Sequence, residues 1–163
     1  DLTYTLAHYK HFWPLSRRFH AAAGLSGKYS FNSKTPYYFT KGLGYGRDFI
    51  RGYEYYVMDG QHFGLLKTGI KFTLMPKKEV YAPFIPLNKF ATIPFAFYLN
   101  LFSDLGYVSD TQFNETNYLN NTWQYSYGAG IDFVTYYDMI FRLEYSINKL
   151  GESGFFLHFT SPI

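Results

Sequence analysis

One stretch decides the fold class: residues 139–148 read MIFRLEYSIN. Successive side chains of a β-strand point to opposite faces, so this stretch predicts a strand with one apolar and one polar face. The apolar face carries Met139, Phe141, Leu143, Tyr145 and Ile147, and the polar face carries Ile140, Arg142, Glu144, Ser146 and Asn148. A strand of about ten residues crosses a bilayer when it is tilted. Charges on the same face as Ser146 and Asn148 favour a wet interior and an apolar exterior, although one strand does not distinguish inside from outside.

The same alternation predicts six further strands. They cover residues 2–9, 18–28, 64–74, 95–108, 123–137 and 154–161. The long connections 29–62 and 109–122 then emerge on one side, and the short connections 10–17 and 136–138 on the other, as in membrane β-barrels. The proline-containing connection 75–94 is long on the side where short turns are expected. The sequence predicts an all-β, antiparallel barrel of about seven strands within residues 1–163.

The composition supports β structure and excludes several functions. Aromatic residues make up 23% of the chain and charged residues 17%, which suits a soluble all-β domain or a membrane barrel with aromatic girdles. No run of about 18 apolar residues exists, so a transmembrane helix is excluded. The net charge of +3 comes from scattered basic residues, which predicts no nucleic-acid partner. The absence of Cys excludes disulfides, zinc–thiolate sites and cysteine nucleophiles.

Three stretches together resemble the C-terminal barrel segment of the BamA/TamA superfamily of outer-membrane assembly factors, which also includes two-partner secretion transporters. The first is the glycine-rich stretch 42–53, GLGYGRDFIRGY, which ends in Ile50, Arg51, Gly52 and Tyr53 and is similar to the family's (V/I)-R-G-(F/Y) loop signature. The second is FSDLGY at 102–107, and the third is YGAGIDF at 127–133, followed by an Arg-containing strand and an aromatic last strand. Lys67 and Lys71 stand where the family often carries an inward Glu.

The resemblance implies where the loop lies. Residues 29–62 would fold into the barrel lumen, where Arg51 would reach a carboxylate on the inner wall. Asp104 is the first choice of partner, followed by Asp132 or Glu144. An arginine fork binds a carboxylate through two parallel hydrogen bonds. Gly52 would allow a sharp turn and Tyr53 would pack against the wall.

The resemblance also implies a function. The chain would be a partial domain, the C-terminal part of a larger barrel of about 16 strands, with further strands and periplasmic domains upstream. It would lie in the outer membrane of a Gram-negative bacterium and help nascent outer-membrane proteins to fold and insert, with possible accessory lipoproteins. Its last strand would form one side of a lateral seam, with residues Phe155, Phe156, Leu157, His158 and Phe159. Such a protein is not an enzyme and needs no cofactor or metal.

Three alternatives remain at the level of sequence. One is an exporter of the same superfamily, whose lumen conducts a secreted protein and whose loop is a plug. The second is a small soluble barrel that binds a hydrophobic ligand in an apolar interior. The third is a structural or adhesive outer-membrane barrel that closes within residues 1–163. The pair His8-x-x-His11 is more simply incidental than a metal site in a strand-and-turn region.

Overall fold

The structure is a computed structural model that describes residues 3–32, 36–81, 92–113, 117–136 and 139–160. Seven strands form one antiparallel sheet in the order β1-β2-β5-β6-β7-β8-β9. Their bounds are β1 Tyr4–Pro14, β2 Phe19–Ser30, β5 His62–Tyr81, β6 Thr92–Ser109, β7 Trp123–Val134, β8 Ile140–Asn148 and β9 Ser153–Thr160. The predicted all-β class with an antiparallel sheet of seven strands is confirmed. Within the described residues, no helix has the length and apolar character needed to span a membrane.

The two faces of the sheet differ sharply in polarity. On the apolar face Leu101, Ile131 and Leu143 are 54%, 46% and 48% exposed. On the polar face Asp104, Asp132 and Glu144 are at most 1% exposed. This is the reverse of a soluble sheet protein, in which carboxylates face water and the apolar face forms the core. The polar face is buried because the chain itself covers it.

Residues 36–61 form this cover. They contain a 3-10 turn, Tyr37–Phe39, and two short paired strands, β3 Lys41–Leu43 and β4 Met58–Asp59. Their apolar side chains pack against inward residues of β5 and β6 and against the 117–122 turn. The resulting core consists of Leu43, Ile50, Tyr53, Met58, Phe63, Leu65, Val108 and Leu119. The loop therefore folds back onto the sheet and is fixed by an apolar core of its own.

The contacts of the loop require the sheet to be strongly curved. Asp48 lies 3.7 Å from Nδ1 of His8 in β1, and the next residue, Phe49, has its ring centroid 6.1 Å from that of His158 in β9. In a flat sheet these two outer strands would be about 29 Å apart, since neighbouring strands are about 4.8 Å apart. The sheet must curl around the loop to bring both strands to adjacent loop residues.

The strand bounds differ from the prediction mainly at two connections. β1 continues to Pro14, so most of the predicted connection 10–17 is a strand. β5 continues to Tyr81 and β6 begins at Thr92, so much of the proline-containing segment 75–94 is a strand. The β5–β6 register shifts between Thr73 and Lys78, at the point where Pro76 would otherwise interrupt the ladder. Alternation alone did not reveal this extension because an irregular register breaks the period-two pattern.

Candidate functional site

Arg51 is held on the polar face by a two-pronged contact with Asp104. Its Nε donates to Asp104 Oδ2 at 2.9 Å and its Nη2 donates to Oδ1 at 2.5 Å. The backbone N–H of Arg51 also donates to Oδ2 at 3.1 Å. The Asp104 side chain has no exposed surface and that of Arg51 is 15% exposed. A planar guanidinium in this fork geometry is oriented as well as neutralised.

Two further groups contact the guanidinium of Arg51. Its Cζ lies 3.9 Å from the centroid of the Phe102 ring, a cation–π arrangement. Arg51 Nη2 also donates to the carbonyl of Thr68 at 3.1 Å. Arg51 therefore joins the loop to β5 and β6 together.

The other residues of the loop motif have separate roles. Gly52 has φ +83° and its carbonyl accepts from Asn148 Nδ2 at 3.0 Å; this left-handed conformation favours glycine. Tyr53 is buried and donates its hydroxyl proton to Gln124 Oε1 at 2.9 Å. Ile50 is buried over Gly106, where an added Cβ would lie 2.5 Å from Ile50 Cδ1. The motif thus contacts β6, β7 and β8.

The structure distinguishes the three proposed partners of Arg51. Asp104 is the direct partner. Asp132 is not: it accepts from Arg142 Nε at 2.6 Å and from Lys71 Nζ at 2.8 Å, and among the described residues it makes no ion pair with Arg51. The reason is the register, which places Arg142 directly opposite Asp132 on β8. The prediction of Asp132 as a partner of Arg51 is therefore corrected.

Glu144 has an intermediate position. Its Oε1 lies 3.7 Å from Arg51 Nη1 and 3.7 Å from Arg142 Nε, and its Oε2 lies 3.4 Å from His158 Nε2. These contacts are longer than typical hydrogen bonds. His158 Nε2 is also 3.6 Å from Glu54 Oε1. A chain of ionisable side chains therefore runs from the loop arginine to β9.

A second anchor holds the far end of the loop at the β8–β9 turn. Tyr56 donates its hydroxyl proton to Glu152 Oε1 at 2.7 Å, and Asn148 Nδ2 donates to Glu152 Oε2 at 2.9 Å. The hydrogen bond from Asn148, followed by that from Tyr56, lowers the pKa of Glu152. The same contact with Glu152 raises the pKa of Tyr56 to about 12.

The proposed seam residues lie on β9 at the edge of the sheet. Phe155, Leu157 and Phe159 are 72%, 58% and 68% exposed, and they alternate with Phe156 and His158, which share the polar face. β9 pairs only with β8 within the described residues. Its other edge therefore offers backbone groups without a sheet partner in the part of the chain that is described.

Several site residues were not predicted from the sequence. Phe102 was assigned only as part of a strand motif, and no partner was predicted for Gln124, Lys71 or Glu54. The alternation had placed Arg142 and Asp132 on one face, so their pairing could have been found by aligning β7 with β8. The positions of Gln124 and Glu54 depend on the path of the loop, which the sequence pattern does not encode.

Comparisons with protein-family models, curated proteins and solved structures found no match to this chain. The site is therefore described by its own geometry. It consists of a loop arginine clamped by a buried aspartate, with a second ion-pair group at Asp132 and a third at Glu144. In the described part of the chain, no group of three or more His, Cys, Asp or Glu side chains could hold a metal ion.

Proposed function

We propose that the chain is part of an outer-membrane β-barrel of the assembly-factor type, which assists the folding and insertion of other outer-membrane proteins. The observation that carries this proposal is the inverted sheet: a polar face buried beneath the Arg51 loop and an apolar face exposed. The proposal extends to a larger barrel of about 16 strands, in a bacterial outer membrane, with no enzymatic activity and no cofactor.

The exposed apolar face supports membrane insertion. Large apolar side chains are exposed on β2, β5, β6, β7, β8 and β9, among them Leu25, Ile70, Leu101, Ile131, Leu143 and Leu157. Monomeric soluble proteins rarely expose apolar patches beyond a few hundred Å². A bilayer would cover this face without a protein partner. The strands of the described sheet other than β9 have 9 to 20 residues, which is enough to cross it when tilted.

The free strand edges support the assembly role. β1 and β9 lie at the two ends of the described sheet and do not pair with each other in the described residues. An unpaired edge in lipid is costly, because its backbone groups have no water to bind. Such an edge readily accepts an incoming strand by main-chain hydrogen bonding. In this proposal β9 is one side of a seam at which nascent barrel strands pair.

The loop fits the proposal as an internal brace. It contacts β5, β6, β7 and β8 through Arg51, Gly52 and Tyr53 and so holds the curvature of the wall. Curvature that is fixed from inside leaves the edge at β9 free to change partners. The soluble-barrel alternative calls for an apolar interior, whereas the buried face here carries Asp104, Asp132 and Glu144.

A reconstitution experiment tests the proposal. The purified chain is inserted into liposomes, and an unfolded outer-membrane barrel protein, the client, is added. Folding of the client is followed by gel electrophoresis of unheated samples, in which the folded barrel resists denaturation. We expect faster folding than in empty liposomes, and slower folding with Arg51→Ala. Arg47→Ala is the matched control, because Arg47 is exposed in the same loop. Equal folding rates with and without the protein would refute the assembly role.

The exporter alternative predicts a different result in the same liposomes. If the loop is a plug, Arg51→Ala would raise ion conductance across the bilayer while the wild-type protein leaves client folding unchanged. Measuring both quantities on one preparation distinguishes the two functions.

A further inference from the structure

A cavity of about 700 Å³ lies between the loop and the wall, next to Arg51, which lines it. β1, β2, β5, β6, β8 and β9 all contribute to its lining. Its charged lining consists of five cationic side chains and one carboxylate: Lys10, Arg51, Lys67, Lys71, Arg142 and Glu144. The cavity is therefore rich in positive charge.

The buried carboxylates do not balance these cations. Lys71 and Arg142 share one aspartate, Asp132. Lys67 makes a contact with the Phe49 ring, with Nζ 4.0 Å from its centroid, and has no carboxylate within ion-pair distance among the described residues. Lys10, which is exposed on the edge strand β1, also has no carboxylate within ion-pair distance among the described residues. Two cations are thus left for a ligand.

Asn100 adds a neutral hydrogen-bond donor at the same place. It is 7% exposed, lines the cavity, and its Nδ2 has no hydrogen-bond partner among the described residues. The register places Lys71 directly opposite Asn100 on β5. A buried donor without a partner is costly, and an acceptor bound in the cavity would satisfy it.

Apolar side chains also line the cavity. Leu157 and Phe159 belong to the apolar face of β9, and Phe12 belongs to β1. Both edge strands of the described sheet therefore contribute apolar surface to the cavity. A ligand with an anionic group inside and a hydrocarbon part outside would match both surfaces.

From these observations we propose that the cavity is a binding site for a phosphate group, held by Lys10, Lys67, Lys71 and the amide of Asn100. A phosphate oxyanion matches several cations and one neutral donor better than a singly charged carboxylate does. The phosphate can be free or can belong to the headgroup of an anionic lipid whose hydrocarbon chains lie against Leu157 and Phe159. This inference does not depend on the proposed function, since the cavity belongs to the folded chain itself.

Calorimetric titration of the purified chain in non-ionic detergent tests the site. Inorganic phosphate is one probe and short-chain phosphatidylglycerol is the other, at constant ionic strength. We expect saturable binding of at least one probe, weakened about tenfold by the double substitution Lys10→Gln and Lys67→Gln, through loss of two charge contacts. Asn100→Asp should weaken binding further, because it places a negative charge beside the ligand.

The matched control is Lys77→Gln with Lys78→Gln, which removes the same charge from exposed positions on β5. It should leave the affinity within about twofold of wild type. If both probes bind, a free phosphate group is sufficient for binding. If only the lipid binds, the ligand is the phosphate of a lipid headgroup. Lack of saturable binding by either probe, or equal weakening in the control, would overturn the proposal.

Discussion

At the scale of single residues, Arg51 is the most constrained side chain of the loop. It donates to both oxygens of Asp104 and to the Thr68 carbonyl, and it stacks on Phe102. All of these partners belong to the sheet and none to the loop. The contacts of Arg51 therefore depend on how the loop is positioned on the sheet. Removing either member of the pair leaves a charge without its partner in a site with little access to water.

Arg51→Ala should lower the free energy of unfolding by about 3 kcal/mol, the usual cost of breaking a buried ion pair. Chemical denaturation in detergent measures the change. Arg47→Ala, in the same loop but exposed, should change stability by less than about 0.5 kcal/mol. If the Arg51–Asp104 contact is direct, the exchanged pair Arg51→Asp with Asp104→Arg should be more stable than either single exchange. Similar losses in Arg47→Ala and Arg51→Ala would contradict this view of the site.

Gly106 provides space for the loop. An added Cβ there would lie 2.5 Å from Ile50 Cδ1 and 2.9 Å from Leu43 Cδ1. Gly106→Ala should therefore cost about 1–3 kcal/mol, as overpacking does. Gly64→Ala is the matched control on β5, where an added Cβ meets nothing within 4 Å, and it should be neutral or slightly stabilising. Chemical denaturation of both variants measures the change in the free energy of unfolding. A greater loss of stability for Gly64→Ala than for Gly106→Ala would show that Ile50 does not occupy the space over Gly106.

At the scale of elements, the loop acts as a unit because it is fixed to the sheet at several places. The Arg51 contact attaches it to β5 and β6, and the Tyr56–Glu152 contact attaches it to the turn between β8 and β9. The apolar core that includes Leu43, Ile50 and Met58 also holds it. Loss of one attachment should therefore loosen part of the loop without releasing it from the sheet.

The Glu152 attachment predicts a pH dependence. The pKa of Glu152 is lowered in the folded protein, so its contribution is present above the ordinary value of 4.5 and is lost as the pH falls through the lowered value. The chain has no Cys, so a spin label at Tyr55→Cys reports on this part of the loop. Label mobility should rise on acidification below the ordinary pKa. Glu152→Gln should give raised mobility at neutral pH and a smaller acid step; an unchanged acid step would assign the effect to another group.

At the scale of the whole molecule, the two faces of the sheet differ in polarity. The curved sheet buries charge on its concave side and exposes hydrocarbon on its convex side. Trp13 and Trp123, both exposed on the apolar face, lie near opposite ends of the sheet, where aromatic girdles of membrane barrels occur. This distribution supports the proposal that the protein is solvated by lipid.

Leu143→Arg distinguishes a lipid environment from water. In a bilayer an arginine on the outward face should cost about 2–4 kcal/mol near the midplane. In water the same change at a half-exposed position should cost less than about 0.5 kcal/mol. Leu150→Arg, in the exposed turn after β8, is the control and should be tolerated in both cases. Folding yield into liposomes is the measurement, and equal yields of Leu143→Arg and wild type would contradict membrane insertion.

The sequence by itself determined the strands, their two faces and the residues available to the site. A period of two assigns each side chain to one face regardless of what lies beside it, so Asp104, Asp132 and Glu144 could be placed with Arg142 on one polar side. The tertiary structure alone decided which carboxylate receives Arg51. Register joined Asp132 to Arg142 and placed His158 diagonally beside Glu144, and the path of the loop carried Arg51 to Asp104. These choices depend on contacts between residues far apart in the chain, and local alternation carries no information about them.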